Sequence, residues 1–215
     1  MQILIYGAGG FGRGVAWLAT VARHSGEPYE PVAFIDDSEQ NWARIVNDLP
    51  VLGLDDALDR FPDAAVVSGI GNGPLRRLTM ERVRERGGRW ATLIHRNVEM
   101  SKWIELGDGA VICAGNILNT NIVIGKQVQM NLACTLGHDV RMGDYVTLSP
   151  GVHVSGNVTM ENGVFIGTGA VIINGTSDEP LVIGENAVVG AGASVICSVP
   201  ANTTVVGVPA KVLQR

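Results

Sequence analysis

A histidine followed at once by an aspartate, His138-Asp139, is the pair in this chain best equipped to move a proton. An imidazole accepts a proton near neutral pH, and a carboxylate on its other nitrogen can fix the tautomer and support the developing positive charge. Neighbouring residues of an extended strand point to opposite faces, so Asp139 can serve His138 only if the two occupy a bend. The remaining histidines are weaker candidates. His24 falls at a predicted helix end, His95 at a domain junction and His153 at a variable repeat position, and each reads as structural or solvent-exposed. Four scattered histidines, with Cys113, Cys134 and Cys197 and no CxxC, predict no metal site. The odd cysteine count also points to a reducing, cytoplasmic compartment without structural disulfides. A Ser/His/Asp hydrolase elbow is absent.

A second constellation lies near the start. Gly7-Ala8-Gly9-Gly10-Phe11-Gly12 follows an apolar run over 2–6 and opens a predicted helix over 13–23. Gly7, Gly9 and Gly12 satisfy G-x-G-x-x-G in the strand–turn–helix setting where backbone N–H groups can meet a pyrophosphate. Asp36 and Asp37 end the next predicted strand, over 31–37, where an acid can bond a ribose hydroxyl; Gly71-Asn72 ends a third, over 64–70. A nicotinamide dinucleotide and a sugar-linked nucleoside diphosphate would both use such a cradle. A unit of about 95 residues is short for two complete mononucleotide halves, which counts against the dinucleotide.

The elements that must position these residues fall into two kinds. Strand-like and helix-like segments alternate through the first half, with further helices over 55–61 and 75–86 and a strand over 90–94. This predicts an α/β Rossmann-like domain over 1–97 with a parallel sheet. The junction is expected at 95–103. From Leu106 to Ile172 every sixth residue is aliphatic: Leu106, Ile112, Leu118, Ile124, Met130, Leu136, Met142, Leu148, Val154, Met160, Ile166 and Ile172. A second echo follows four residues after each, from Ala110 to Ala170, and only Asn116 breaks it. A period of six belongs to the hexapeptide repeat of a parallel β-helix, three repeats to a coil, and it predicts that fold over 98–215. Cys134 falls on the second echo as a small interior filler. His138 falls on neither echo and should project outward or sit at a corner. The rhythm breaks after Ile172 and resumes at Ile183, so five extra residues, in a stretch holding Asn174-Gly175-Thr176-Ser177-Asp178-Glu179-Pro180, should loop out from a corner. Pro200 and Pro209 suit coil edges and a closing segment.

The composition sets bounds. The chain has 215 residues, 46% of them hydrophobic, and a net charge of −5. Residues 1–103 hold twelve of the sixteen Lys and Arg, leaving a weakly charged repeat body. An acidic balance with no basic stripe excludes a nucleic-acid surface. No apolar run has membrane-spanning length and no secretory leader is expected.

Taken together, IYGAGGFG, FIDD, SGIGNGPLRR, LIHRNV, GHDVRMGDYVTLSPGVHVSGNVTM, VGAGASV and VVGVPAK make the chain resemble the NeuD/PglD-like sugar O- and N-acyltransferases of the left-handed β-helix superfamily. The likeness runs nearly end to end. It implies an enzyme of glycan biosynthesis, a homotrimer that binds acetyl-CoA between adjacent β-helices, and a small domain that binds a nucleotide-linked sugar. By that resemblance His138 is the general base with Asp139 as its acid neighbour. Gly9, Gly10, Phe11, Asp36, Asp37 and Gly71 would hold a UDP-sugar, and Thr147, Gly156, Thr168 and Ala191 would meet the acetyl-CoA arm. Phe11 stands where some relatives have a histidine in the glycine loop, and Thr147 where some have a second histidine one coil after the base. Three readings compete: N-acetylation of a UDP-linked amino sugar, O-acetylation of a sugar hydroxyl as on a sialic-acid-like acceptor, and a non-catalytic module that binds nucleotide sugars or NAD.

Overall fold

Ile3 to Tyr6 are buried without alternation, the pattern of a strand covered on both faces of a parallel sheet. That strand, β1 (Gln2–Tyr6), is central in the computed structural model, which describes residues 1–24 and 27–214; the side chain of His24 lies outside what is described. The chain divides into two units, Met1–Arg96 and Asn97–Arg215.

In the first unit β1 leads to helix α1 (Gly10–Val21), then to β2 (Glu30–Ile35) and β3 (Leu49–Leu52). Helix α2 (Leu54–Arg60), β4 (Ala65–Ser68), α3 (Gly73–Glu85) and β5 (Arg89–Trp90) follow. The sheet order is β3-β2-β1-β4-β5, all parallel, with Ile45–Val46 antiparallel beyond β3. Strand order reverses at β1, so a crevice opens beyond the carboxyl ends of β1 and β4. Leu4, Tyr6, Ile35 and Val66 form a core with Ala57 of α2 and Met80 and Val83 of α3. Helix α1 begins earlier than the sequence suggests because the glycine loop itself turns into its first residues. Helix α3 begins at Gly73 because Asn72 caps it, its Oδ1 accepting from the Leu75 N–H at 2.9 Å. The strand expected over 90–94 divides into Arg89–Trp90 and Leu93–Ile94. The hairpin of Ile45–Val46 with β3 was not legible: its arms are too short to show alternation, and only the turn residues Asn47 and Asp48, at φ 44° and 65°, mark it.

The second unit is a coil of short parallel strands on three faces. The first face carries Ile104–Leu106, Ile122–Ile124, Arg141–Met142, Val158–Met160 and Leu181–Ile183. The second includes Val111–Ile112, Gln129–Met130, Thr147–Leu148, Phe165–Ile166, Val188–Val189 and Thr204–Val206. The third carries Glu99–Met100, Ile117–Leu118, Thr135–Leu136, His153–Val154, Val171–Ile172 and Ser194–Val195. Each strand pairs in register with one a coil later, as Thr135 does with His153, 18 residues on. Both echoes point inward and are buried, apart from a half-buried Leu106 in the first coil. After Met160 the register lengthens, Val158 pairing with Leu181, and the extra residues leave from the corner between the third and first faces. Lys211–Val212 folds back antiparallel on Thr204–Val206. Among the described residues no helix is long and apolar enough to cross a membrane.

The one polar residue in the second echo is explained by what it bonds. Asn116 is fully buried; its Nδ2 donates to the carbonyls of Cys113 at 2.6 Å and Asn131 at 2.9 Å, and its Oδ1 accepts from the Cys134 N–H at 3.2 Å. One amide thus joins two successive coils through three backbone groups. Asn116→Ala should strand those groups and lower stability by about 1–3 kcal/mol. Urea denaturation of the two proteins measures the loss.

Candidate active site

Corners of the coil need left-handed backbone, which Asn and Asp tolerate better than most side chains. Asn121, Asp139 and Asn157 stand one above another at the corner between the third and first faces, at φ 55°, 56° and 54°. This turn brings His138 and Asp139 to the same side. The His138 Nδ1 lies 2.7 Å from Asp139 Oδ2. The bend required by the sequence is present, and it is the left-handed residue that supplies it.

The surroundings of Asp139 favour its charged form. The hydrogen bond with His138, then that from Asn121, hold the Asp139 carboxyl below the usual carboxylate range, with Arg141 adding a smaller pull. An ionised carboxylate can only accept, so Nδ1–H donates to Oδ2, and in the neutral imidazole the lone pair is then on Nε2. Nε2 hangs over Gly156, one coil on: a Cβ there would meet the ring Cε1 and Nε2 at 2.5 Å. The side chains of His138 and Asp139 are 52% and 48% exposed, so a solute can reach the pair.

The other residues singled out in the coil are distributed differently. Gly156 lies beneath the His138 ring. Thr168 and Ala191 share the opposite edge of the third face, where the Gly192 N–H donates to the Thr168 carbonyl at 2.8 Å. Thr147 lies in the second face and is 7% exposed. The residue one full coil beyond His138 is therefore Gly156, and Thr147 stands half a coil on, in the second face. The extra loop leaves from the dyad's own corner: the Gly175 N–H donates to the Gly156 carbonyl at 3.1 Å, and the loop closes on itself through Thr176 and Glu179. His153 accepts or donates at 2.9 Å with Thr135 Oγ1 and lies on the third face, while His95 is 7% exposed near the Trp17 ring.

In the first unit the glycines divide into two kinds. A Cβ at Gly12 would strike the Gly7 carbonyl, and one at Gly69 would meet Gly12 Cα at 2.5 Å, so these serve close packing of α1 on the sheet. At Gly9 and Gly71 a Cβ would meet nothing within 4 Å. Gly9 precedes α1, whose first turn holds no acidic residue and no side-chain cap; Gly10 is exposed and Phe11 half-buried. Such an end presents unpaired N–H groups to an anion. Asp36 and Asp37 are already engaged. Asp36 Oδ1 accepts from the Ser38 N–H at 2.9 Å and Asn41 Nδ2 at 3.1 Å, shaping the turn after β2. Asp37 accepts from the Tyr6 hydroxyl at 2.8 Å and from Arg82 at 3.1 Å. Burial, then the bond to Asp37, push the Tyr6 hydroxyl well above its ordinary range. The two acids, with Trp42, Gly53, Arg82 and Arg86, line a cleft of about 830 Å³ that the glycine loop does not line.

Sequence reasoning passed over four of these residues. Tyr6 and Arg82 are visible only through their partners. Arg76 is fully buried and ties down the loop after β4 by donating to the Ile70 carbonyl at 2.8 Å. Asn121 alone had a signal, since it stands one coil before Asp139. Cys113 and Cys134 are buried free thiols; burial, then the neighbouring Cys134, push Cys113 up to about 12, and burial raises Cys134, so neither is a nucleophile. Among the described residues no group of His, Cys, Asp and Glu could hold a metal ion. Gly156→Ala should displace the imidazole and break its alignment with Asp139. The ring Nδ1–H resonance by NMR reports this, and an unmoved ring would mean that the corner has slack.

Comparisons with known proteins agree with this layout. Residues 2–83 match the model of the PglD N-terminal domain. No curated protein matches. The chain is 38% identical to WeeI from Acinetobacter baumannii AYE, covering 99% of this chain and 100% of that one with a TM-score of 0.91. The acetyltransferase domain of PglB from Neisseria gonorrhoeae, solved in complex with acetyl coenzyme A, is 32% identical over 99% of this chain and 98% of that one, with a TM-score of 0.86. PerB from Caulobacter crescentus, solved with CoA and GDP-perosamine, is 28% identical over 100% of this chain and 98% of that one, with a TM-score of 0.87. With a Rossmann-like unit joined to a left-handed parallel β-helix, and identity of this level along nearly its whole length, the chain belongs to the NeuD/PglD-like family of sugar acyltransferases.

Proposed function

We propose that this protein is an acetyl-CoA-dependent N-acetyltransferase acting on a UDP-linked amino sugar, with His138 as general base. The observation that carries the reading is the 2.7 Å contact of His138 Nδ1 with Asp139 Oδ2 on a half-exposed histidine side chain: with the acid on Nδ1, Nε2 is the ring nitrogen left to take a proton. Support for an amino-sugar acceptor comes from PerB, solved with GDP-perosamine and CoA; support for the donor comes from PerB and from PglB, solved with acetyl coenzyme A.

The amine nitrogen attacks the thioester carbonyl carbon of acetyl-CoA. Its proton passes to His138 Nε2 as the C–N bond forms, and Asp139 supports the imidazolium. The C–S bond then breaks, the sulfur leaves with the electron pair, and the proton follows to give the thiol and an N-acetyl sugar. A backbone N–H of a neighbouring coil stabilises the carbonyl oxygen, an effect of about 3 kcal/mol for one donor. The donor arm is assigned to Gly156, Thr168 and Ala191, small residues flanking the third face that leave room for a thin pantetheine chain. Thr147, on the second face, is assigned to the same arm by the resemblance. Gly9, Gly10, Phe11 and Gly71 are assigned to the pyrophosphate and sugar, and Asp36 and Asp37 to the nucleoside side of the first unit, where a ligand hydroxyl would join or replace their present bonds.

A homotrimer completes the reading. The outward column of the third face carries both apolar and polar groups, with Ile117 46% and Val171 41% exposed around the Thr135–His153 pair. Aliphatic residues in such a column favour burial against a second copy, which would enclose the donor between coils. The free cysteines fit a cytoplasmic setting.

His138→Ala should keep its circular dichroism spectrum and lose about 10²–10⁴-fold in turnover, the usual contribution of a general base. Unchanged turnover would remove the base assignment. Assays with UDP-, GDP- and dTDP-linked amino sugars, against hydroxyl acceptors, should give the highest kcat/KM for a UDP-amino sugar. Light scattering should return the mass of a trimer.

A further inference from the structure

A carboxylate half exposed to water is a poor fixed point unless something other than its functional partner holds it. Asp139 is such a group, and its second oxygen is held. Asn121 Nδ2 donates to Asp139 Oδ1 at 3.2 Å, opposite the oxygen that meets the histidine. The amide is itself oriented, because the Thr120 hydroxyl donates to Asn121 Oδ1 at 3.4 Å and so turns the nitrogen towards the acid. The Asp139 N–H donates to the Thr120 carbonyl at 3.1 Å. Thr120 and Asn121 therefore grip Asp139 by backbone and by side chain, from one coil earlier at the same corner. Asn121 and Asp139 share the left-handed backbone that stacks them.

We propose that Asn121 is a positioning residue for acetyl transfer: its amide locks the Asp139 carboxylate in the one rotation that offers Oδ2 to His138 Nδ1, and so keeps Nε2 free. The inference rests on the reading of His138 as base, but the contact can be tested without it. The first face beyond the corner opens into a groove lined by Lys102, Trp103, Glu105, Asn121, Asp139 and Arg141, from which water can compete for the same oxygen. Losing the amide exchanges a fixed donor for mobile solvent. The titratable and charged groups around the carboxylate are His138 and Arg141, with Lys102 and Glu105 across the groove.

Asn121→Gly is the informative variant, since glycine accepts the left-handed backbone and removes only the side chain. It should lower kcat by about tenfold, a part of what a general base contributes, with KM for acetyl-CoA unchanged. In an Asp139→Asn background the same change should cost nothing more. By NMR, which needs no turnover, the Asp139 carboxyl should titrate at higher pH in Asn121→Gly, and the His138 Nδ1–H signal should broaden. Full activity in Asn121→Gly, or an additive loss in the double variant, overturns the proposal. Retained turnover in His138→Ala with both NMR responses present would instead sink the base assignment, and with it the catalytic role of the clamp, while leaving the contact intact.

Discussion

Backbone hydrogen bonds from each coil to the next fix where every corner residue stands. Because the strands are only two or three residues long, no single strand could hold a side chain in place; the ladder does so by repetition. A shift of one residue in register would turn the inward aliphatics outward. The chain guards against this with an interior that admits one aliphatic and one small residue per face, and with Asn116, which bonds across two coils from inside. The dyad inherits its geometry from that ladder. The carbonyl of His138 accepts from the Asn157 N–H below, and Asp139 donates to Thr120 above.

The chemistry of the corner follows from a backbone requirement that was already present. Each corner of the coil calls for a residue that tolerates positive φ, and asparagine meets it at 121 and 157. At 139 the same requirement is met by aspartate. The change of one amide for a carboxylate turns a structural position into an acceptor for the imidazole, and the asparagine above becomes its second anchor. A polar bend of this kind works in a half-exposed setting because the carboxylate has two directed donors rather than one. Gly156 is the complementary feature, since any side chain there would occupy the space of the ring.

The first unit shows the same separation of support and access. Gly12 and Gly69 are needed so that helix and strand can touch, whereas Gly9 and Gly71 border open space. Fingerprint matching treats these glycines alike. Asp36 and Asp37 likewise look equivalent as the end of an FIDD strand, yet one folds the following turn and the other joins Tyr6 to Arg82. The strand order, reversing at β1, is what places loop and acids at the same end of the sheet.

Periodicity alone determined the parallel coil, its inward residues, the filler role of Cys134 and the outlying loop after Ile172, because a repeated unit must bury the same positions each time. The alternation of apolar runs with amphipathic segments likewise determined the α/β sheet, although the short hairpin at Ile45–Val46 escaped it for want of length. His138 and Asp139 were legible as a pair, but only on condition of a bend. Tertiary structure decided that the bend exists, that Gly156 and not Thr147 lies one coil below the ring, and that Asn121 reaches the acid from above. These depend on which residues share a corner, a relation set by ladder register across many residues, and neighbouring letters in a chain do not carry it.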